Sequence, residues 1–128
     1  MNKPAQATIH VSEQRHLLEV SHLFLCMSLV VQGVAPPDLM IKALERLQQL
    51  RPFLARFDAF ATEAGATAPT PTLDLLAQKK KVNLVDTAKA LSACTVLSHF
   101  FQSMFMQTLQ PVSKNGPQTI TVSAQTLH

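Results

Sequence analysis

Charge is what this sequence has least of. Only 15% of its residues are Asp, Glu, Lys or Arg, against about a quarter in an ordinary soluble domain. With 47% hydrophobic residues beside them, the charged side chains are too few to coat a monomer, and a partner is expected to cover part of the apolar surface. Tryptophan and tyrosine are absent, and the seven phenylalanines fall on three segments: Phe24; Phe53, Phe57 and Phe60; Phe100, Phe101 and Phe105. The net charge of +3 comes from basic residues spread along the chain, with Lys79, Lys80 and Lys81 as the only run. Nucleic-acid binders carry a denser basic stripe, or aromatics placed for stacking. The triplet reads as a solvated face, and no direct nucleic-acid contact is expected.

Glycine is scarce as well. Gly33, Gly65 and Gly116 stand alone, which excludes a glycine-rich phosphate loop, and no GxSxG, HExxH or DxDxDG motif occurs. The acidic residues are scattered singly. No catalytic residue, cofactor or enzyme activity is expected. Two cysteines, Cys26 and Cys94, lie inside apolar helical runs, as buried thiols do in a reducing compartment. His22 and Cys26 share a helix face at i, i+4, while Cys94 and His99 are five apart. These four are candidate zinc ligands, but no tight CxxC-type pair anchors them, so buried thiols and singly bonded histidines are the preferred reading and no metal is expected. A membrane span needs about 20 predominantly apolar residues. The uncharged stretch from Ala90 to Ser113 is long enough but interrupted by Ser, Thr, His and Gln. The run from Leu23 to Val31, followed by "QGVA", has the outline of a secretory signal, but Glu19 and His22 interrupt its approach. A cytoplasmic protein without membrane contact is expected.

The pattern that is present predicts a single all-α domain over 1–128, a small bundle of three long helices with strand-like terminal tails. Ser12 can cap a first helix over 12–32, which Gly33 stops. Pro37 and Asp38 open a second over 37–63, with Met40, Ala43, Leu44, Leu47, Leu50, Leu54, Phe57 and Ala61 on one stripe. Pro52 removes a backbone donor and is expected to kink this helix or restart it. "EAGATAPTPT" reads as a linker, placed at 64–73. A third helix is expected over 83–109, capped by Asn83, with Ala90, Cys94, Leu97, Phe101 and Met104 on a heptad-like stripe. That stripe suits a core helix and a homodimer seam equally. The tails, 1–11 and 111–128, carry an echo: "ATIHVSEQ" and "QTITVSAQ" share Thr, Ile, Val, Ser and Gln in register, and both alternate like short strands.

From Gly33 onward the chain resembles TraM, the family of small helical antiactivators of quorum sensing. Gly33, Pro37, Asp38 and Leu39 match that family's glycine, proline-rich break and Asp-Leu pair in order. Arg51 and Asp58 fall on an Arg and an Asp of its long helix, and Arg56 on a Lys. Leu44, Leu47, Phe53, Leu54 and Phe60 fall on apolar positions. Leu84, Thr87, Thr95, Leu97, Phe100 and Phe101 land on similar residue types in the final helix after a shift of one. The resemblance covers about 33–104. The first helix is more apolar here and the C-terminal tail longer. A fainter likeness, of "LEVSHLFLCMSLVVQG" to the first helix of the flagellar regulator FlhD, is offset by a much shorter intervening chain.

The TraM resemblance implies a non-catalytic homodimer that binds a LuxR-type transcription activator and keeps it from DNA, as the functionally similar QslA does. The alternative expectation is a helical secretion chaperone or assembly adaptor. Interfaces of this kind concentrate affinity in buried aromatic, Met and Arg anchors. The candidate interface residues are Leu97, Phe100, Phe101, Met104 and Phe105, with Arg51, Arg56 and Asp58 as polar contacts. A plain core fits the aromatic and Met positions as well.

Overall fold

A computed structural model describes residues 6–78, 84–109 and 119–123. The lysine triplet and the Asn83 cap lie outside the described residues. The chain is mostly helical, as its composition predicts, but not as three long helices: six α-helices and a two-stranded sheet are described. Strand β1 (Gln6–His10) leads through a 3-10 turn (Val11–Glu13) into α1 (Gln14–Val31). The turn is closed by a capping box in which Ser12 N–H donates to His10 Nδ1 and His10 N–H to Glu13 Oε1. The first helical cap is therefore His10, with Ser12 inside the turn.

Gly33 ends α1 in the left-handed conformation, φ 79°. Its N–H donates to the Val30 carbonyl and that of Val34 to Leu29, a Schellman closure that a β-carbon would strain. The expected second helix is three pieces: α2 (Asp38–Gln49), α3 (Arg51–Ala55) and α4 (Asp58–Glu63). Pro52 sits in the first turn of α3, so of the two expected outcomes, kink or restart, the helix restarts after Leu50. The second break, at Arg56 and Phe57, has no proline or glycine. There the Arg56 and Phe57 N–H groups reach back three residues, to Phe53 and Leu54, in a tightened 3-10 turn.

The expected linker is the main correction. Gly65, φ 82°, closes α4 with a second Schellman pattern, but α5 (Pro69–Ala77) then begins inside the 64–73 linker and runs on beyond it. Ala68 precedes it and has no side chain to cap with. Asp58 does so from a distance: its Oδ1 accepts the Thr70 N–H at 3.0 Å and its Oδ2 the Thr70 hydroxyl. Pro69 and Pro71 cost nothing in a first turn whose N–H groups have no helical partner.

The last helix, α6 (Leu84–Thr108), lies antiparallel along α1 in the most extensive contact of the fold. Gln14 Nε2 donates to the Thr108 carbonyl at 2.9 Å and Ser21 Oγ to the Ser98 carbonyl at 2.8 Å. Leu17, Val20, Phe24 and Met27 of α1 meet the stripe Ala90, Cys94, Leu97, Phe101 and Met104, all buried. Strand β2 (Thr119–Ser123) pairs antiparallel with β1, Ala7 opposite Val122, Thr8 opposite Thr121 and Ile9 opposite Ile120. The pleat sends Ile9 and Val122 into the core and leaves Thr8, Thr119 and Thr121 exposed. The echo in the tails is thus a strand pair.

Candidate protein-binding surface

The three phenylalanine segments converge. Phe101 stacks on Phe24 with centroids 6.3 Å apart, meets Phe57 edge-on at 5.8 Å and Phe100 at 5.4 Å. Phe57 continues to Phe53 at 5.0 Å and Phe100 to Phe60 at 5.6 Å. Edge-on and offset pairs of this kind match the positive rim of one ring to the negative face of another. Leu97, Phe100, Phe101 and Met104, four of the expected interface anchors, are therefore in the core of the chain itself. The reason is the antiparallel α1, which takes up the stripe that a second subunit could also have filled. Phe105 is half-buried against the same core.

The expected polar contacts are also engaged within the chain. Arg51 makes a two-pronged pair with Asp74 of α5, at 2.8 and 2.9 Å, and its guanidinium holds the Asp74 carboxyl below its ordinary pKa. Asp58 caps α5. Arg56 reaches the N-terminal segment. It binds both Glu13 oxygens, donates to the Thr8 carbonyl at 3.1 Å, and lies over Phe53 and Phe57 at 5.5 and 5.6 Å. The hydrogen bond from Arg56 is the main reason the Glu13 carboxyl titrates below its ordinary range, with partial burial opposing it. A third pair escaped sequence reasoning: Arg46 of α2 holds Glu19 of α1 at 2.7 and 3.0 Å and lowers its pKa. Only its i, i+27 separation hides it, since nothing local marks which surface charges will meet.

Exposed apolar residues lie at Val34 and Ile41, and the other side of the expected helix is also open to a partner. Beyond the exposed Lys89, the outer face of α6 is formed by Ser92, Thr95, Val96, His99, Gln102 and Met106, with Val96 37% and Met106 57% exposed. No Asp, Glu, Lys or Arg occurs from Ala90 to Leu109. The second half of α1 is similar: no such residue occurs from Val20 to Pro37, and His22 and Leu25 are exposed. Solvated helix faces ordinarily carry charge; these do not. His22 and His99 are exposed and Cys26 half-buried, while burial pushes the Cys94 thiol up to about 12, which makes it a poor thiolate and a poor ligand. Among the described residues, no three His, Cys, Asp or Glu side chains come together as metal ligands, and no helix is long and apolar enough to cross a membrane. No family model matches the chain, and no curated protein or solved structure matches it either.

Proposed function

We propose that this chain is a non-catalytic, cytoplasmic protein-binding regulator acting as a homodimer. Its partner, on the TraM resemblance, is a LuxR-type transcription activator that it sequesters from DNA. The observation that carries the reading is the outer face of α6 from Ser92 to Met106, which is uncharged. A partner that covers Val96, His99 and Met106 gains apolar contact and strips water from no charged group, the costliest kind to desolvate. The hydroxyls and the amide of Ser92, Thr95 and Gln102 supply hydrogen bonds at the rim. In this reading α6 is the contact helix that its apolar composition suggests, but it binds through the face opposite the phenylalanines. Phe105 flanks that face.

The test is a promoter-binding assay with a LuxR-type activator and the double variant Val96→Asp, Met106→Asp. The unmodified chain should release the activator from its promoter, and the variant, equally folded by circular dichroism, should not. An activator that stays on DNA with excess unmodified chain overturns the antiactivator reading. Recovery of a secretion substrate bound to the same face would instead establish the chaperone or adaptor alternative.

A further inference from the structure

The two-stranded sheet has two outer edges, and the chain treats them differently. In an antiparallel pair the N–H and C=O of one residue point to the same side, and the side alternates along the strand. The Thr8 carbonyl accepts from Arg56 and the His10 N–H donates to Glu13 at 2.9 Å. The backbone groups of Thr8 and His10 therefore point away from β2, and those of Ala7 and Ile9 towards it. Given the register, Ala7 with Val122 and Ile9 with Ile120 are the hydrogen-bonded pairs. On β2 it follows that Thr119, Thr121 and Ser123 aim their backbone groups outward. The β1 edge is closed by Arg56 and Glu13. Among the described residues nothing bonds the outward groups of β2.

Open edges in stable monomers are usually guarded by a charge, a proline or a bulge. The segment Thr-Ile-Thr-Val-Ser has none, and Thr119, Ile120, Thr121 and Val122 are all β-branched, the residues that best suit a pleated pair. We infer that β2 pairs with β2 of a second copy, antiparallel about a two-fold axis at Thr121, to form a four-stranded sheet with a β1 at each outer edge.

The register is dictated by the backbone. Only the outward residues can exchange bonds, so Thr121 pairs with its own counterpart and Thr119 with the second copy's Ser123. Ile120 then lies opposite the second copy's Val122, on the face that already buries Val122. The segment is self-complementary, as a two-fold interface requires, and opposes no like charges. It makes about six inter-chain hydrogen bonds, two for each of three hydrogen-bonded pairs. A foreign extended strand could make the same backbone bonds, but the matching Ile and Val pairs come with a second copy.

This assignment rests on the homodimer of the proposed function and is independent of its activator. The experiment is molar mass by light scattering at micromolar concentration for the unmodified chain, Thr121→Lys, Thr121→Pro and the control Gln6→Lys. The lysine sets two like charges opposite each other at the axis. The proline deletes an N–H that the β1 ladder does not use. The unmodified chain and Gln6→Lys should run at twice the chain mass and both Thr121 variants at half that, with unchanged helical circular dichroism. In the dimer the Thr119 and Thr121 amides should be protected from hydrogen exchange. A monomeric unmodified chain overturns both this assignment and the homodimer. A dimer that survives both Thr121 variants, or fast-exchanging Thr119 and Thr121 amides within a dimer, overturns the assignment alone and moves the contact to a helix face or to exchanged β1 strands.

Discussion

Phe101 is where three aromatic contacts meet, and its truncation to alanine separates a core helix from a contact helix most sharply. Removing a fully buried phenylalanine side chain costs about 3–5 kcal/mol through lost burial and the cavity left behind. Phe101 has no exposed surface. Its contacts with Phe24, Phe57 and Phe100 come from α1, the turn before α4 and α6 itself, so no single neighbour can collapse into the gap. Each aromatic pair adds about 0.5–1.5 kcal/mol beyond its area, which puts the expected loss at the upper end, about 5 kcal/mol. For 128 residues, ordinary domain stabilities of about 0.05–0.15 kcal/mol per residue give roughly 6–19 kcal/mol in total. Phe101→Ala should therefore remain folded but much weakened, with only about 1 kcal/mol left at the low end of that range. Urea unfolding followed by helical circular dichroism measures it, with Val96→Asp on the opposite face as the comparison. A loss below about 1.5 kcal/mol for Phe101→Ala, or an equal loss for Val96→Asp, would refute the placement of the two faces.

The clamp between Arg56 and Glu13 predicts a pH dependence. Because Arg56 depresses the Glu13 pKa in the folded chain, the ion pair's contribution is complete above the ordinary glutamate value, about 4.3. It is lost as pH falls from there through the folded value. Exchange of the Ala7 and Ile9 amides should accelerate over that acid range relative to α6 amides, after correction for intrinsic rates. In Glu13→Gln this local effect should vanish, and an unchanged profile would refute it. Asp58→Ala should cost about 1–2 kcal/mol, the range for a lost helix cap, and should raise amide exchange at Thr72 and Leu73 before α6 is affected. Protection in α5 equal to that of the unmodified chain would show that Asp58 does not hold the helix start.

Features set by neighbouring residues were legible in the sequence. Gly33 marks a helix end because a left-handed residue closes the last carbonyls, and that is a local event. The stripe from Ala90 to Met104 identified an α6 face that is buried, and the alternation in the tails marked strands. What the stripe could not say is against what it is buried, since a core helix and a dimer seam use the same spacing. The interface residues chosen from it, Leu97, Phe101 and Met104, were consequently placed on the face that α1 occupies, while Phe100, off the stripe, is buried against Phe60 of α4. α5 was hidden because its cap, Asp58, is twelve residues from Thr70. The break at Arg56 and Phe57 has no local signature at all. Arg51, Arg56 and Asp58 were singled out because they fall on charged positions of the TraM helix, but their partners Asp74, Glu13 and Thr70 come from three other segments and only the fold brings them together.

The low charge of the chain acquires a location from these pairings. Arg46 with Glu19, Arg51 with Asp74 and Arg56 with Glu13 join α1 to α2, α3 to α5 and the N-terminal turn to the break between α3 and α4. Two of the three hold α3 or the turn after it. α3 and α4 are only five and six residues long, too short to stand as isolated helices. Exposed ion pairs are worth little individually, typically below about 1 kcal/mol, but they fix which short segment lies against which. The segments 20–37 and 90–109 carry no Asp, Glu, Lys or Arg, and α1 and α6 lie along each other without needing any. The charges are thus concentrated where short pieces must be aligned and missing where two long helices pack by shape. Adding a charge at exposed Val96 or Met106 breaks no existing pair and opens no cavity, so the fold has no reason to keep these positions neutral. Under the proposed function that neutrality suits a partner, and this makes the outer face of α6 the surface on which the regulator reading stands or falls.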